Sequence, residues 1–195
     1  MTARCPEPDC GGVLGVYERE LRCERCGMEA EGLTWELLSE IEMRSIVFLD
    51  RPLWQASAFH LVAGRKGVGK GTMIADLAAR FTRGELGDRR KVVWIGSEDS
   101  ASIDIGPRVV AAGGDPQRVP VVRDWIQLPR DIDALSNTVA AIGEVGLVII
   151  DPIGNHIAGK SSNAETDIRD AIGQLNRLAD EHECLVLGVR HLSEK

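Results

Sequence analysis

The stretch Phe59-His60-Leu61-Val62-Ala63-Gly64-Arg65-Lys66-Gly67-Val68-Gly69-Lys70-Gly71-Thr72 constrains this chain more than any other. An apolar run ends in a Gly-rich turn, and the sequence restarts as a helix with Met73-Ile74-Ala75-Asp76-Leu77. Gly64, four residues, then Gly69-Lys70 is the spacing of the phosphate-cradling Walker A loop. Glycines let the backbone take positive φ and approach an anion with no Cβ in the way. Consecutive N–H groups and the positive end of the following helix then face the β- and γ-phosphates, and Lys70 adds a mobile point charge. An ordinary Gly-rich strand-to-helix turn would need neither the lysine nor this spacing. The expected nucleotide-binding residues are therefore Gly64, Arg65, Lys66, Gly67, Val68, Gly69, Lys70, Gly71 and Thr72.

One position departs from the loop's usual form. Gly71 stands where a Ser or Thr hydroxyl commonly meets Mg²⁺, and Thr72 is the next hydroxyl available. Either Thr72 serves an α-phosphate while Mg²⁺ is held mainly by carboxylates and water, or metal binding here is weak. Gly69-Lys70-Gly71-Thr72 also resembles adenylate-kinase-type loops, so the loop by itself does not choose a family.

A chain of 195 residues can bury one sizeable core and carry a small appendage. With 44% apolar and 27% charged residues it has the composition of a globular protein, not a disordered one. No apolar run reaches the ~18 residues of a membrane span. Met1-Thr2-Ala3-Arg4-Cys5-Pro6 lacks a basic-then-apolar leader pattern, so the expected compartment is the cytoplasm. Net charge is −7; residues 1–42 hold four basic against ten acidic side chains, and residues 43–195 nineteen against twenty. Neither half is a basic coat for nucleic acid, so contact with a polynucleotide has to be local or made in an oligomer.

Residues 1–32 read as a zinc ribbon. Cys5 and Cys10, then Cys23 and Cys26, form two pairs of the five cysteines, and four thiolates satisfy tetrahedral Zn²⁺. The alternating residues between the pairs suit two short strands. A segment this short has no core of its own, so metal binding worth on the order of 10 kcal/mol would supply most of its folding free energy. The competing reading is a redox pair. The ribbon is acidic, which favours protein contact or positioning over DNA contact.

Residues 33–58 read as a connector, with Thr34 capping a helix that carries Leu37, Leu38 and Ile41 on one face. Trp54 either stacks on an adenine or plugs the edge of the core. From residue 59 strands alternate with helices, which means an α/β fold with a mostly parallel sheet. Strands are expected at 59–63, 92–96, 119–123, 147–150 and 184–189, and helices near 70–83, 102–112, 131–143 and 164–182. Asp131 is the expected cap of the third helix, and Cys184 an inert core residue.

Three strand ends carry chemistry. Leu147-Val148-Ile149-Ile150-Asp151 is an apolar strand closing in an acid, which parallel strands would deliver to the phosphate edge as a Mg²⁺ ligand. The alternative is an Asp that only opens a turn before Pro152, and the phosphate loop already present favours the Mg²⁺ role. Val92-Val93-Trp94-Ile95-Gly96-Ser97-Glu98-Asp99 ends in two acids, and Glu98 there can polarise a water for in-line attack; the alternative is a solvated acidic loop. His191, after Arg190 at the end of the last strand, is placed to sense a γ-phosphate. The expected catalytic set is Lys70, Glu98, Asp151 and His191, with Asp151 and Thr72 as the Mg²⁺ candidates.

The order of these motifs resembles the RecA-like P-loop ATPases, closest to the branch of plasmid RepA-type and DnaB-type replicative helicases and related phage or mobile-element ATPases. The resemblance covers about residues 45–195. It implies a RecA-like P-loop NTPase core over 59–195 with ATP and Mg²⁺ as cofactors, while the small zinc ribbon before it and its Zn²⁺ rest on the cysteine spacing. It implies a hexameric ATPase motor of helicase type on single-stranded DNA in replication, with Glu98 activating water, Asp151 holding Mg²⁺ and His191 sensing γ-phosphate. Gly106-Pro107-Arg108 also resembles the family's helix after the acidic pair, without a role that follows from the residues. RecA-like cores continue beyond this point into DNA-binding loops and an arginine finger. The chain is therefore expected to be an incomplete core, unless Arg190 or Lys195 substitutes for the finger. RadA-type repair ATPases, a nucleotide-monophosphate kinase and an ATP-binding switch without motor action are the alternatives.

Overall fold

A computed structural model of the chain describes residues 4–17, 20–30, 36–43, 45–50, 52–157 and 164–192, with backbone only at 17, 20 and 164–167. The chain divides into two compact units, Met1–Ser45 and Ile46–Lys195.

The first unit is a three-stranded antiparallel sheet of β1 (Leu14–Tyr17), β2 (Glu20–Cys23) and β3 (Glu29–Ala30). Leu14 faces Cys23 across the first pair, and Leu21 faces Ala30 across the second. Gly27 turns the chain with φ 74°, a left-handed value that glycine adopts without strain. The helix expected around Leu37, Leu38 and Ile41 is not formed. Residues 38–40 are a turn, with Glu40 N donating to Leu37 O, and all three apolar side chains are exposed. So short an amphipathic segment gains too little within its own unit to offset the cost of nucleating a helix. Its expected cap, Thr34, lies outside the described residues.

The second unit opens with a hairpin of β4 (Phe48–Asp50) and β5 (Trp54–Gln55). A five-stranded sheet follows, built from β6 (Phe59–Gly64), β7 (Lys91–Gly96), β8 (Val121–Val122), β9 (Val145–Asp151) and β10 (Leu185–His191). Its order is β6-β10-β9-β7-β8 and every pairing is parallel. Helices α1 (Lys70–Arg83), α2 (Gly106–Ala111), α3 (Ile132–Ile142) and α4 (Ala164–Glu181) connect the strands. This is the α/β arrangement of a RecA-like P-loop domain.

The strands read as unbroken apolar runs because both faces of the sheet are covered. Val92 and Trp94 join Leu147, Ile149, Leu185 and Leu187 on the face under α1, against Ile74, Leu77 and Phe81. Val93 and Ile95 join Val148, Ile150 and Val186 on the other face, against Leu135, Val139, Leu175 and Leu178 of α3 and α4. Burying each such side chain stabilises the fold by about 1.5–3 kcal/mol. Cys184 is buried in this second core, and burial pushes its thiol up to about 12, so it is inert.

Three local features differ from the sequence expectation by more than a residue or two at an element's end. The stretch after the acidic pair is not one α-helix. It begins as a π-helical turn, Ala101–Ile105, and only then becomes α2. Pro107 has no N–H to donate and so cannot continue a regular ladder back into that turn. The third strand shortens to Val121–Val122, since Pro120 offers only its carbonyl, which accepts from Trp94 N at 2.9 Å. Asp131 does precede α3, but its carboxylate does not cap the helix. It accepts instead from Gln127 N at 2.7 Å and pairs with Arg130.

Candidate functional site

The geometry of the site follows from register. In the β6–β10 pair Gly64 is level with His191, and in the β9–β7 pair Asp151 is level with Gly96. With all strands parallel, the loop after β6, the end of β10, Asp151 and the Ser97-Glu98-Asp99 segment come out at one edge of the sheet. Ligand sites in open α/β sheets lie at this edge, outside the carboxyl ends of the strands.

The loop after β6 has the form that its glycines permit. Gly67 and Gly69 take φ 83° and 91°, left-handed values that a side chain would resist. Gly69 is the residue before α1, and its carbonyl accepts the first helical bond from Met73 N at 3.0 Å. Lys70 is 92% buried as a residue, its Nζ donating to Gly64 O and Arg65 O, each at 2.8 Å. A cavity of about 420 Å³ opens over this loop. Lys66, Gly67, Gly69, Lys70, Gly71 and Thr72 line one side; Glu98, Asp99, Arg108, Asp151 and His191 line the other. Of the expected nucleotide-binding residues, Gly64 and Arg65 contribute carbonyls to Lys70 rather than lining the cavity, and the Val68 side chain is exposed.

The acids are not equivalent. Burial raises the Asp151 carboxyl above the ordinary carboxylate range, and the neighbouring Asp99 and Glu98 charges push the same way against His191 and Lys70. A desolvated carboxylate crowded by two others is a natural cation ligand, because a cation relieves both penalties at once. Glu98 is half-exposed and held from two sides: Asn155 Nδ2 donates to Oε1 at 3.0 Å, and His191 Nε2 stands 3.8 Å from Oε2. Asn155 also donates to Ser97 Oγ at 3.0 Å. Asn155 ends a short 3₁₀ turn, Ile153–Asn155, separated from Asp151 by Pro152 alone. Arg108 reaches the cavity from α2 and pairs with Asp99 Oδ2 at 2.5 Å and with Asp104 Oδ1 at 3.4 Å.

Asn155 was invisible as a site residue in the sequence, since its partner lies 57 positions away. Arg108 carried a signal only through the Gly106-Pro107-Arg108 likeness. Trp54 packs against the α1-side core and stands edge-on to His60, ring centroids 5.7 Å apart, and is not among the cavity's lining residues. Arg190 and His191 also border a second cavity of about 330 Å³, walled by Phe59, Ile153, Ile157 and Ile172. Lys195 lies outside the described residues.

In the first unit the four cysteines converge. Cys5 Sγ lies 3.7 Å from Cys26 Sγ, Cys10 Sγ lies 3.6 Å from Cys23 Sγ, and all four sulfurs fall within 4.8 Å of one another. Zn–S bonds of about 2.3 Å in a tetrahedron put sulfurs roughly 3.8 Å apart, so this set fits zinc. Gly12 makes the approach possible, because a Cβ there would lie 2.7 Å from Cys23 Sγ and 3.3 Å from Cys10 Sγ. Arg25 N donates to Cys23 Sγ at 3.4 Å, as a backbone amide does to a thiolate.

Among known proteins, a family model described as an AAA domain, AAA_25, matches residues 31–195. No curated protein matches the chain. Among the described residues no helix is long and apolar enough to cross a membrane.

Proposed function

The chain belongs to the AAA domain family, whose members are ATPase-type nucleotide-binding proteins, and from that premise we propose that it binds ATP with Mg²⁺ and hydrolyses it as a helicase-type motor on DNA. The observation that carries this reading is the meeting of Lys70, Asp151, Glu98 and His191 around one cavity at the carboxyl edge of the sheet.

In this reading the N–H groups of the loop and Lys70 hold the β- and γ-phosphates, Lys70 leaving the two carbonyls it now serves. Asp151 and Thr72 would hold Mg²⁺, which would supply neutralisation of charge on the phosphate oxygens. Glu98 orients and polarises the attacking water, accepting its proton as the bond to the γ-phosphorus forms and the bond from that phosphorus to the β–γ bridging oxygen breaks, with ADP as the leaving group. His191, beside Glu98 at the end of β10, registers the γ-phosphate and passes its presence to the segment that follows. Cys5, Cys10, Cys23 and Cys26 would hold Zn²⁺, which would tie the first unit together. Action on single-stranded DNA in replication, and hexamer assembly, are supported by the order of strand-end motifs shared with replicative helicases.

The test is steady-state ATP hydrolysis by the full chain with and without single-stranded DNA, with Lys70→Ala as the control. Hydrolysis that DNA accelerates and Lys70→Ala abolishes is the expected result. Binding without hydrolysis would make the protein a switch, and phosphoryl transfer to an added nucleoside monophosphate would make it a kinase; either outcome ends the motor reading.

A further inference from the structure

Two oddities of the sequence meet at one point in the structure. Gly71 lacks the side chain that usually offers a hydroxyl at this place in the loop, and Arg108 had no role. A Cβ built on Gly71 would stand 3.0 Å from Arg108 Nη1 and 3.7 Å from its Cζ. The space left by the missing side chain is thus filled by a guanidinium, brought from a helix 37 positions later in the chain.

We propose that Arg108 is a phosphate-binding residue of the nucleotide site, taking over at Gly71 part of the charge neutralisation that a hydroxyl-bound cation otherwise supplies. The inference rests on the nucleotide-binding reading above and adds a residue to it. A guanidinium is permanently charged, and its planar fork matches two phosphate oxygens at once. It lines the same cavity as Lys70, Asp151 and Thr72. Its partners are Asp99, at 2.5 Å, and Asp104, at 3.4 Å, all three side chains being more than a third exposed. Ion pairs that exposed contribute little to stability, typically under about 1 kcal/mol. A triphosphate carries several negative charges where Asp99 carries one, so it draws the guanidinium from Asp99 and leaves that carboxylate free on the cavity wall. Asp104 stays one helical turn behind Arg108 and keeps the side chain extended toward the loop. Gly71 leaves room for that approach: a serine Cβ there would lie 3.0 Å from Arg108 Nη1 and would shift the guanidinium by a few tenths of an ångström.

Equilibrium binding of ATP and ADP to the full chain, in Mg²⁺ and in excess chelator, tests this without reference to turnover. Arg108→Gln should weaken ATP binding about tenfold, as expected for losing one charge-assisted contact, and should weaken ADP binding less. In chelator the parent should keep measurable affinity for ATP, and Arg108→Gln should lose it. Gly71→Ser combined with Arg108→Ala should recover ATP affinity in Mg²⁺ and none in chelator. Arg108→Lys, which keeps the charge and loses the fork, should fall between parent and Arg108→Gln, and it stands in should the glutamine variant fail to fold. If the parent binds ATP, Lys70→Ala does not, and both Arg108 variants match the parent with and without Mg²⁺, the assignment of Arg108 is overturned and the nucleotide site stands. If the parent binds no nucleotide, both fall together.

Discussion

His191 Nε2 stands 3.8 Å from Glu98 Oε2, joining the end of β10 to the acidic segment after β7 across the intervening strand that carries Asp151. If Glu98 polarises the attacking water, Glu98→Gln removes proton acceptance and leaves size and hydrogen bonding nearly unchanged. Turnover should fall by about 10²-fold or more, while ATP affinity stays within about threefold of the parent. Single-turnover hydrolysis and a separate binding titration give the two numbers. Hydrolysis at the parent rate would remove Glu98 as the base.

Asn155 grips the other oxygen of the same carboxylate and also Ser97 Oγ, each at 3.0 Å. It fixes where Glu98 points without lining the phosphate cavity itself. Asn155→Ala should therefore lower kcat about tenfold with KM unchanged, the signature of misplacement and not of lost binding. The residue is exposed, so the melting temperature should hardly move. A rise in KM with kcat intact would show that Asn155 serves binding instead.

These two contacts mark the limit of what the chain's order discloses. The runs Val92–Gly96 and Leu147–Ile150 are legible as strands because a parallel sheet covered on both faces demands unbroken apolar sequence. The loop glycines are legible because positive φ demands them. Arg108 over Gly71 and Asn155 on Glu98 are meetings of residues far apart in the chain, set by the crossover that lays one βα unit beside the next. No local pattern encodes them. The opposite failure occurs at Leu37, Leu38 and Ile41, where helical spacing is present and no helix forms, because periodicity stabilises nothing without a surface to bury against.

Asp151 places function and stability in opposition. Its carboxyl is raised first by burial and then by the Asp99 charge. For an acid raised in the folded state, stability is lost as pH rises from the unfolded-state value through the folded-state one, so ionising this carboxyl is a cost to the fold. Asp151→Asn should therefore raise the melting temperature of the nucleotide-free protein, by about 2–4 °C for each kcal/mol relieved. It should also weaken Mg²⁺-dependent ATP binding. Calorimetric melts at neutral pH, with and without Mg-ATP, check both signs. A lowered melting temperature without nucleotide would show that the carboxylate is instead a stabilising partner in the fold.

The four-cysteine cluster yields the last expectation, and Gly12 sharpens it. Cys23 is 2% exposed and shares β2 with Leu21, so the strand and the thiol are placed together. Among the unit's described residues no other apolar side chain is buried, and metal binding on the order of 10 kcal/mol would carry its folding. The full chain should hold one zinc, which Cys23→Ser should remove, opening the first unit to limited proteolysis. The second unit has its own two-sided core and should resist digestion as the parent does. Gly12→Ala leaves all four thiols in place but puts a methyl 2.7 Å from Cys23 Sγ. It should lower zinc affinity measured by competition with a chromogenic chelator, by about tenfold or more for a ligand held out of place. A Cys23→Ser protein with undiminished zinc would move the metal elsewhere, and a Gly12→Ala protein with parent affinity would show that the sulfurs can spread without loss.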